Sequence, residues 1–159
     1  MASRSDLTTI VRVPIMIALA VTVMRFTADA LNAPDAVSML LGVAWLHILF
    51  PVYFAIKILE LGFERPFRTL LKTTVLWALP VRAVIAITYV LGYIYQIDSF
   101  RFRAEAFGPV GEGITPLQGL LWLPLLNFGS WMLIGVILAA LTGGITLKLK
   151  GRSAIRNAA

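Results

Sequence analysis

Long uncharged runs, separated by short clusters of arginine and lysine, set the pattern of this chain. A bilayer hydrocarbon core about 30 Å thick is crossed by roughly 20 apolar residues in an α-helix, and four stretches approach or exceed that length. Ala36 to Ile56 carries no charge apart from a neutral His47 and ends at Lys57, while Thr73 to Ile97 is interrupted only by Arg82. Gly113 to Leu147 has no charged residue and is longer than one crossing needs. Pro116 and Pro124 put its start along the interface and the crossing itself from near Trp122. The first stretch has a short strict core, Val13 to Met24, and needs Arg12 and Arg25 to snorkel to opposite surfaces. Spans are expected over approximately 8–28, 36–57, 73–97 and 121–147, in one membrane domain covering 1–159.

The weak first run has a rival reading. Arg4 and Arg12, the Val13–Met24 core and Ala28-Asp29-Ala30 imitate the three regions of a cleaved signal peptide. Arg25 lies between the apolar core and the small-residue site, where a neutral stretch is normal, and this favours a retained span.

The connections differ in character. Asn32-Ala33-Pro34-Asp35 reads as a turn with Asp35 as the N-cap of the second helix. Residues 58–72 mix apolar and basic side chains and are expected to lie as an amphipathic loop on the inner leaflet. The outer loop, about 98–116, begins with the alternation Phe100-Arg101-Phe102-Arg103, which predicts a short extended or interfacial segment before Gly108-Pro109 breaks it. No internal repeat is convincing enough to indicate an inverted-repeat transporter.

Composition sharpens this picture. The chain has 159 residues, 59% apolar and 14% charged, against about 45–50% and about 25% in a soluble domain. A globule of this size cannot hide so much apolar surface. The absence of cysteine excludes disulfides, thiolate metal sites and cysteine nucleophiles. The net charge of +6 does not indicate nucleic acid, because the basic residues stand at the ends of apolar runs.

Their distribution gives an orientation. Of the 14 basic residues, Arg4, Arg12, Lys57, Arg65, Arg68, Lys72, Lys148, Lys150, Arg152 and Arg156 lie on one side. Arg25, Arg101 and Arg103 lie on the other, and Arg82 stands alone in mid-span. Loops rich in lysine and arginine face the cytoplasm, so both termini are expected there. The expected fold is an all-α integral membrane bundle of four transmembrane helices, in a bacterial plasma (inner) membrane.

Arg82 carries the most unusual chemistry. At 1.5 Å per residue it lies about 15 Å beyond Lys72, near the midplane. A guanidinium at that depth must face the protein interior and find oxygen acceptors. No carboxylate shares its depth; Asp29 is in the outer third, where a pair with Arg25 at i, i+4 is expected. His47, the single histidine, falls at nearly the depth of Arg82, and Pro51 frees its carbonyl by removing the donor four residues on. His47 and Arg82 are thus expected to form one polar cluster, either holding helices together or meeting an anionic or quinone-like group. A haem with His47 as one axial ligand is a further option, its second ligand coming from another chain. None of these cofactors is required by the residues.

Prolines at 14, 51, 80 and 124 place one in each span, as is common in membranes. Gly135, Ala139 and Gly143 recur every fourth residue, a small-residue face that permits close helix contact with the first helix of the bundle or with a partner subunit. Asn127 is expected to hydrogen-bond between helices, and Trp45 and Trp131 to supply bulk. Phosphate loops, zinc helices and nucleophile elbows are missing, and Glu60 and Glu64 sit among basic residues as a headgroup-binding face. The expectation is a non-enzymatic small subunit or accessory protein of a larger membrane complex, touching membrane lipids and partner subunits but no nucleic acid. The alternative is a small transporter or a quinone-, haem- or anion-binding membrane protein using Arg82 and His47.

Overall fold

The computed structural model describes the backbone of residues 4–158 and the side chains of residues 7–151. Five α-helices account for most of it: α1 (Arg4–Ala30), α2 (Asp35–Leu40), α3 (Leu46–Glu60), α4 (Pro66–Ile94) and α5 (Leu123–Ala158). Single turns of tighter or wider helix stand at Val43–Trp45, Ala104–Ala106 and Gln118–Trp122. The protein is all-α, and four helical stretches are long and apolar enough to cross a membrane: Leu7–Ala30, Asp35–Glu60, Pro66–Ile94 and Gln118–Gly151. Four such helices mark a multi-pass membrane protein.

The boundaries have local causes. α1, α3 and α4 end in the same way, on Asn32, Gly62 and Gln96, each with positive φ. At each end the amide of this residue and that of the next turn back onto carbonyls of the last turn, as in Ala33 N to Ala28 O at 2.9 Å and Ile97 N to Gly92 O at 3.0 Å. This closure satisfies carbonyls that a helix end leaves without partners. Gly62 takes the left-handed conformation at no steric cost, whereas Asn32 and Gln96 adopt it as side-chain-bearing residues.

Three expectations about the elements need correction. The uncharged second span is not one helix: α2 stops at Leu40 and α3 starts at Leu46. The break lies around Gly42, a poor helix residue, and not at Pro51, through which α3 runs on. Asp35 is the first residue of α2 instead of its N-cap, which is Pro34. Most of the amphipathic segment 58–72 is helical: α3 reaches Glu60 and α4 already begins at Pro66. Proline fits that first helical position because its missing N–H would have no partner there.

The chain divides into two compact units. The first comprises the described parts of Met1–Met16, Ala44–Leu79 and Met132–Ala159; the second comprises Ile17–Val43 and Pro80–Trp131. The core of the first is built on Phe54, Ala55, Ile58, Leu70, Trp77 and Ala139. Phe102, Val81, Ile85 and Tyr89 supply that of the second. Along α4 the buried positions 69, 70, 73, 74, 77, 78, 81, 82, 85, 88, 89 and 92 follow a helical period. The side chains of Arg4, Arg152 and Arg156, used above for orientation, lie outside the described residues.

In the second unit the outer loop is folded instead of extended. Val110 N donates to Phe102 O at 2.7 Å and Ala104 N to Val110 O at 2.8 Å, closing a single bridge between Arg103 and Val110. A Cβ on Gly108 would lie 2.1 Å from the Phe102 carbonyl carbon, so only glycine fits this closure. The alternation in the sequence fails here, since Arg101 and Phe102 are both buried.

Candidate functional site: the buried polar side chains

His47 belongs to the first unit and is fully buried. Its ring meets Trp77 edge-on at 4.7 Å, and Trp77 in turn contacts Phe50 and Phe54. The opposite wall is glycine: a Cβ on Gly135 would come within 2.6 Å of His47 Cδ2. The Trp77 indole N–H has no oxygen or nitrogen acceptor among the described residues.

The small-residue stripe of α5 is therefore explained inside the chain. Gly135 admits His47, Ala139 is fully buried, and Gly143 faces Leu70 and the Pro51 carbonyl oxygen at 2.7 and 2.9 Å from a built Cβ. Gly135 and Gly143 bring α5 against α3 and α4 within the first unit, and not against the first helix expected above. The close approach lets dispersion contacts and the weak C–H donors of glycine act between backbones.

Arg82 belongs to the second unit and is only 4% exposed. Its guanidinium carbon lies 4.7 Å from the centre of the Trp131 ring, a distance at which the ring quadrupole attracts a cation. Trp131, expected as bulk, is thus a partner of Arg82. Asn127, one turn earlier on α5, donates through Nδ2 to the Tyr89 hydroxyl of α4 at 3.0 Å, as its expected bridging role requires.

The principal ion pair was not legible. Asp29 does not pair with Arg25; it accepts a 2.6 Å hydrogen bond from Arg101 Nε, 72 positions away, with both side chains buried. Arg25 instead donates to Ser38 Oγ at 3.2 Å. Within the same buried region Asp29 Oδ1, Arg101 Nη2 and Ser99 Oγ lack partners among the described residues. The first two are a matched acceptor and donor on one ion pair, so a small rotation of the guanidinium would make it bidentate. Burial lowers the Arg101 pKa from its ordinary value, Asp29 opposes that fall, and nearby Arg25 adds to it. The guanidinium stays charged at any physiological pH. At the surface, Arg103 Nε bonds Asp98 at 2.6 Å, and this contact raises the Arg103 pKa.

Arg101 also stacks against Phe102 at 4.2 Å, and the Phe102 ring is held edge-on by Phe26 and Tyr89. A lone acid at the end of a span and an arginine between two phenylalanines are the only sequence signals that pointed to this pair. The charges placed together in the second unit are three arginines, 25, 82 and 101, and one carboxylate, Asp29. Groups of three or more metal-ligating side chains are absent among the described residues.

No protein-family model matches the chain, and neither curated proteins nor solved structures show a significant similarity to it. The reading of function therefore rests on the residues themselves.

Proposed function

We propose that the chain is a non-enzymatic small integral membrane subunit or accessory protein of a larger complex, with both termini and the α3–α4 turn on the cytoplasmic side of a bacterial inner membrane. One observation supports it above others: several polar side chains in and beside the spans meet partners within the chain. Asp29 holds Arg101, Arg25 holds Ser38, Asn127 holds Tyr89, and Arg82 lies on Trp131. Catalysis needs acids, bases or nucleophiles turned toward a substrate, and these groups are turned toward one another.

The outward side chains suit lipid or other apolar helices. Leu125, Leu133, Ile137, Leu141 and Ile145 of α5 are all more than 49% exposed, and only 17% of its most apolar stretch is buried. Because Gly135, Ala139 and Gly143 face inward, a partner would meet this leucine- and isoleucine-rich surface instead. Extraction in a mild detergent, followed by identification of co-purifying proteins, tests the proposal. It predicts a stoichiometric partner that leaves only in harsher detergent; a stable, isolated monomer with an activity or transported substrate of its own would contradict it.

A second reading is favoured by the inner charge group of the second unit, where Arg25, Arg82 and Arg101 face the single carboxylate of Asp29. In it the protein binds an anionic or quinone-like group through Arg82. Arg82→Leu separates the two: an assembly role predicts altered complex formation, whereas a ligand role predicts normal assembly with binding lost.

A further inference from the structure

The first unit contains a basic cleft that the proposed function does not use. It has a volume of about 560 Å³ and is formed by the α3–α4 turn and the first turns of α4. Arg65, Arg68, Thr69 and Lys72 all line it. Their spacing of three, four and seven residues places them on one helical face.

Thr69 is the unusual member. α4 has four threonines, and three of them, Thr73, Thr74 and Thr88, donate their hydroxyls to a carbonyl one turn back at 2.7–3.0 Å. Thr69 stands outside this pattern: no such back-bond from its hydroxyl is found among the described residues, the residue is 8% exposed, and its own carbonyl accepts from Thr73. Thr69 lines the wall of the cleft beside three cations without ion-pair partners among the described residues, and its hydroxyl is a donor available to a ligand there.

The backbone adds to it. α4 starts at Pro66, and Thr69 N is the first amide bonded across its start, to Arg65 O at 3.0 Å. The amides of Phe67 and Arg68 precede it and have no intrahelical acceptor. They carry the positive end of a 29-residue helix. Nearby acids do not cancel this field. Glu60 is paired with Lys57 at 2.7 Å, and Glu64, on the same cleft, is one carboxylate against three cations.

We propose that this cleft binds a phosphate group, with Arg65, Arg68 and Lys72 supplying charge and the Thr69 hydroxyl and α4 amides supplying oriented donors. Arginine forks match phosphate oxygens in pairs, and a tetrahedral anion can use donors converging from several directions. The cleft opens at the end of a membrane-spanning helix, where lipid phosphates are concentrated. The site does not depend on the subunit reading, and its failure would leave that reading untouched.

The test uses the full chain in nanodiscs of phosphatidylcholine, with or without phosphatidic acid, and native mass spectrometry of retained lipid. Free phosphate is the competing arm, titrated against the detergent-solubilised protein. Phosphatidic acid is expected to be retained at least about tenfold over phosphatidylcholine. The combined change Arg65→Gln, Arg68→Gln and Lys72→Gln should remove that preference, and Thr69→Val should reduce it about threefold or more, each tenfold corresponding to one lost charge-assisted contact. Lys148→Gln with Lys150→Gln, which removes two charges elsewhere, should leave the preference in place. Competition by inorganic phosphate at low millimolar concentration, lost in Thr69→Val, would assign the same site to a soluble phosphate instead of a lipid. If Thr69→Val retains full preference, or the Lys148/Lys150 control loses as much as the triple variant, binding is diffuse surface charge and the site does not exist. Should the triple variant fail to fold, Thr69→Val, which keeps the side-chain shape, and Arg68→Gln, at an exposed position, singly decide the matter.

Discussion

Asp29 and Arg101 form a buried ion pair, and the response of such a pair to substitution depends on whether one charge or both are removed. Asp29→Asn or Arg101→Leu alone strands the other charge out of water, and each is expected to cost about 3–5 kcal/mol. Asp29→Leu combined with Arg101→Leu leaves neither, so the double variant should be more stable than either single one. Thermal or denaturant unfolding in detergent measures all three. A double variant as unstable as the sum of the singles would remove this pair from the architecture of the second unit. The surface contact between Arg103 and Asp98 contrasts with it: solvent screens the pair, and Arg103→Ala should leave the unfolding temperature unchanged. Neither partner assignment was available from spacing alone. The i, i+4 rule pairs Arg25 with Asp29 on α1, but Arg25 reaches Ser38 and Asp29 reaches across 72 positions. Local rules rank neighbours within one helix; they carry no information about a loop that folds back.

At the scale of elements, glycines on α5 allow a controlled comparison. Gly143 sits against Leu70 and Pro51, whereas a Cβ on Gly129 would meet nothing within 4 Å. Gly143→Ala is expected to destabilise by about 1–3 kcal/mol through overpacking. Gly129→Ala should be neutral or stabilise by up to about 1 kcal/mol, because alanine is the better helix residue. Equal effects at the two sites would mean that α5 does not pack through its small residues. The spans themselves were legible, since bilayer thickness dictates run length and few other constraints produce uncharged stretches of 20 residues. Their ends were less so. The basic residues of 65–72 imitate a loop, yet Pro66 starts a helix whose inward face, Leu70, Thr73 and Thr74, is set by period. In the second span, the apolar run conceals a break at Gly42 because hydropathy is blind to backbone conformation.

For the whole molecule, the proposed topology puts both termini and the α3–α4 turn on one side of the membrane and the 98–116 loop on the other. Burial of Arg82 and His47 fits the expectation that polar groups in a span turn away from lipid. The candidate site was readable this far because an isolated charge in an apolar run has few physical solutions. Its partners were not readable, since Trp131 follows from packing geometry and not from composition.

Because the chain has no cysteine, single cysteines report position without background, and this measurement bears most directly on the four-span account. Glu64→Cys, Lys150→Cys and Glu112→Cys, each in membranes of known orientation, are treated with a membrane-impermeant maleimide from one side at a time. The account predicts labelling of positions 64 and 150 from the cytoplasmic face only and of position 112 from the opposite face only. Labelling of 64 and 112 from the same face, or release of the unlabelled chain from membranes by alkaline carbonate, would contradict it.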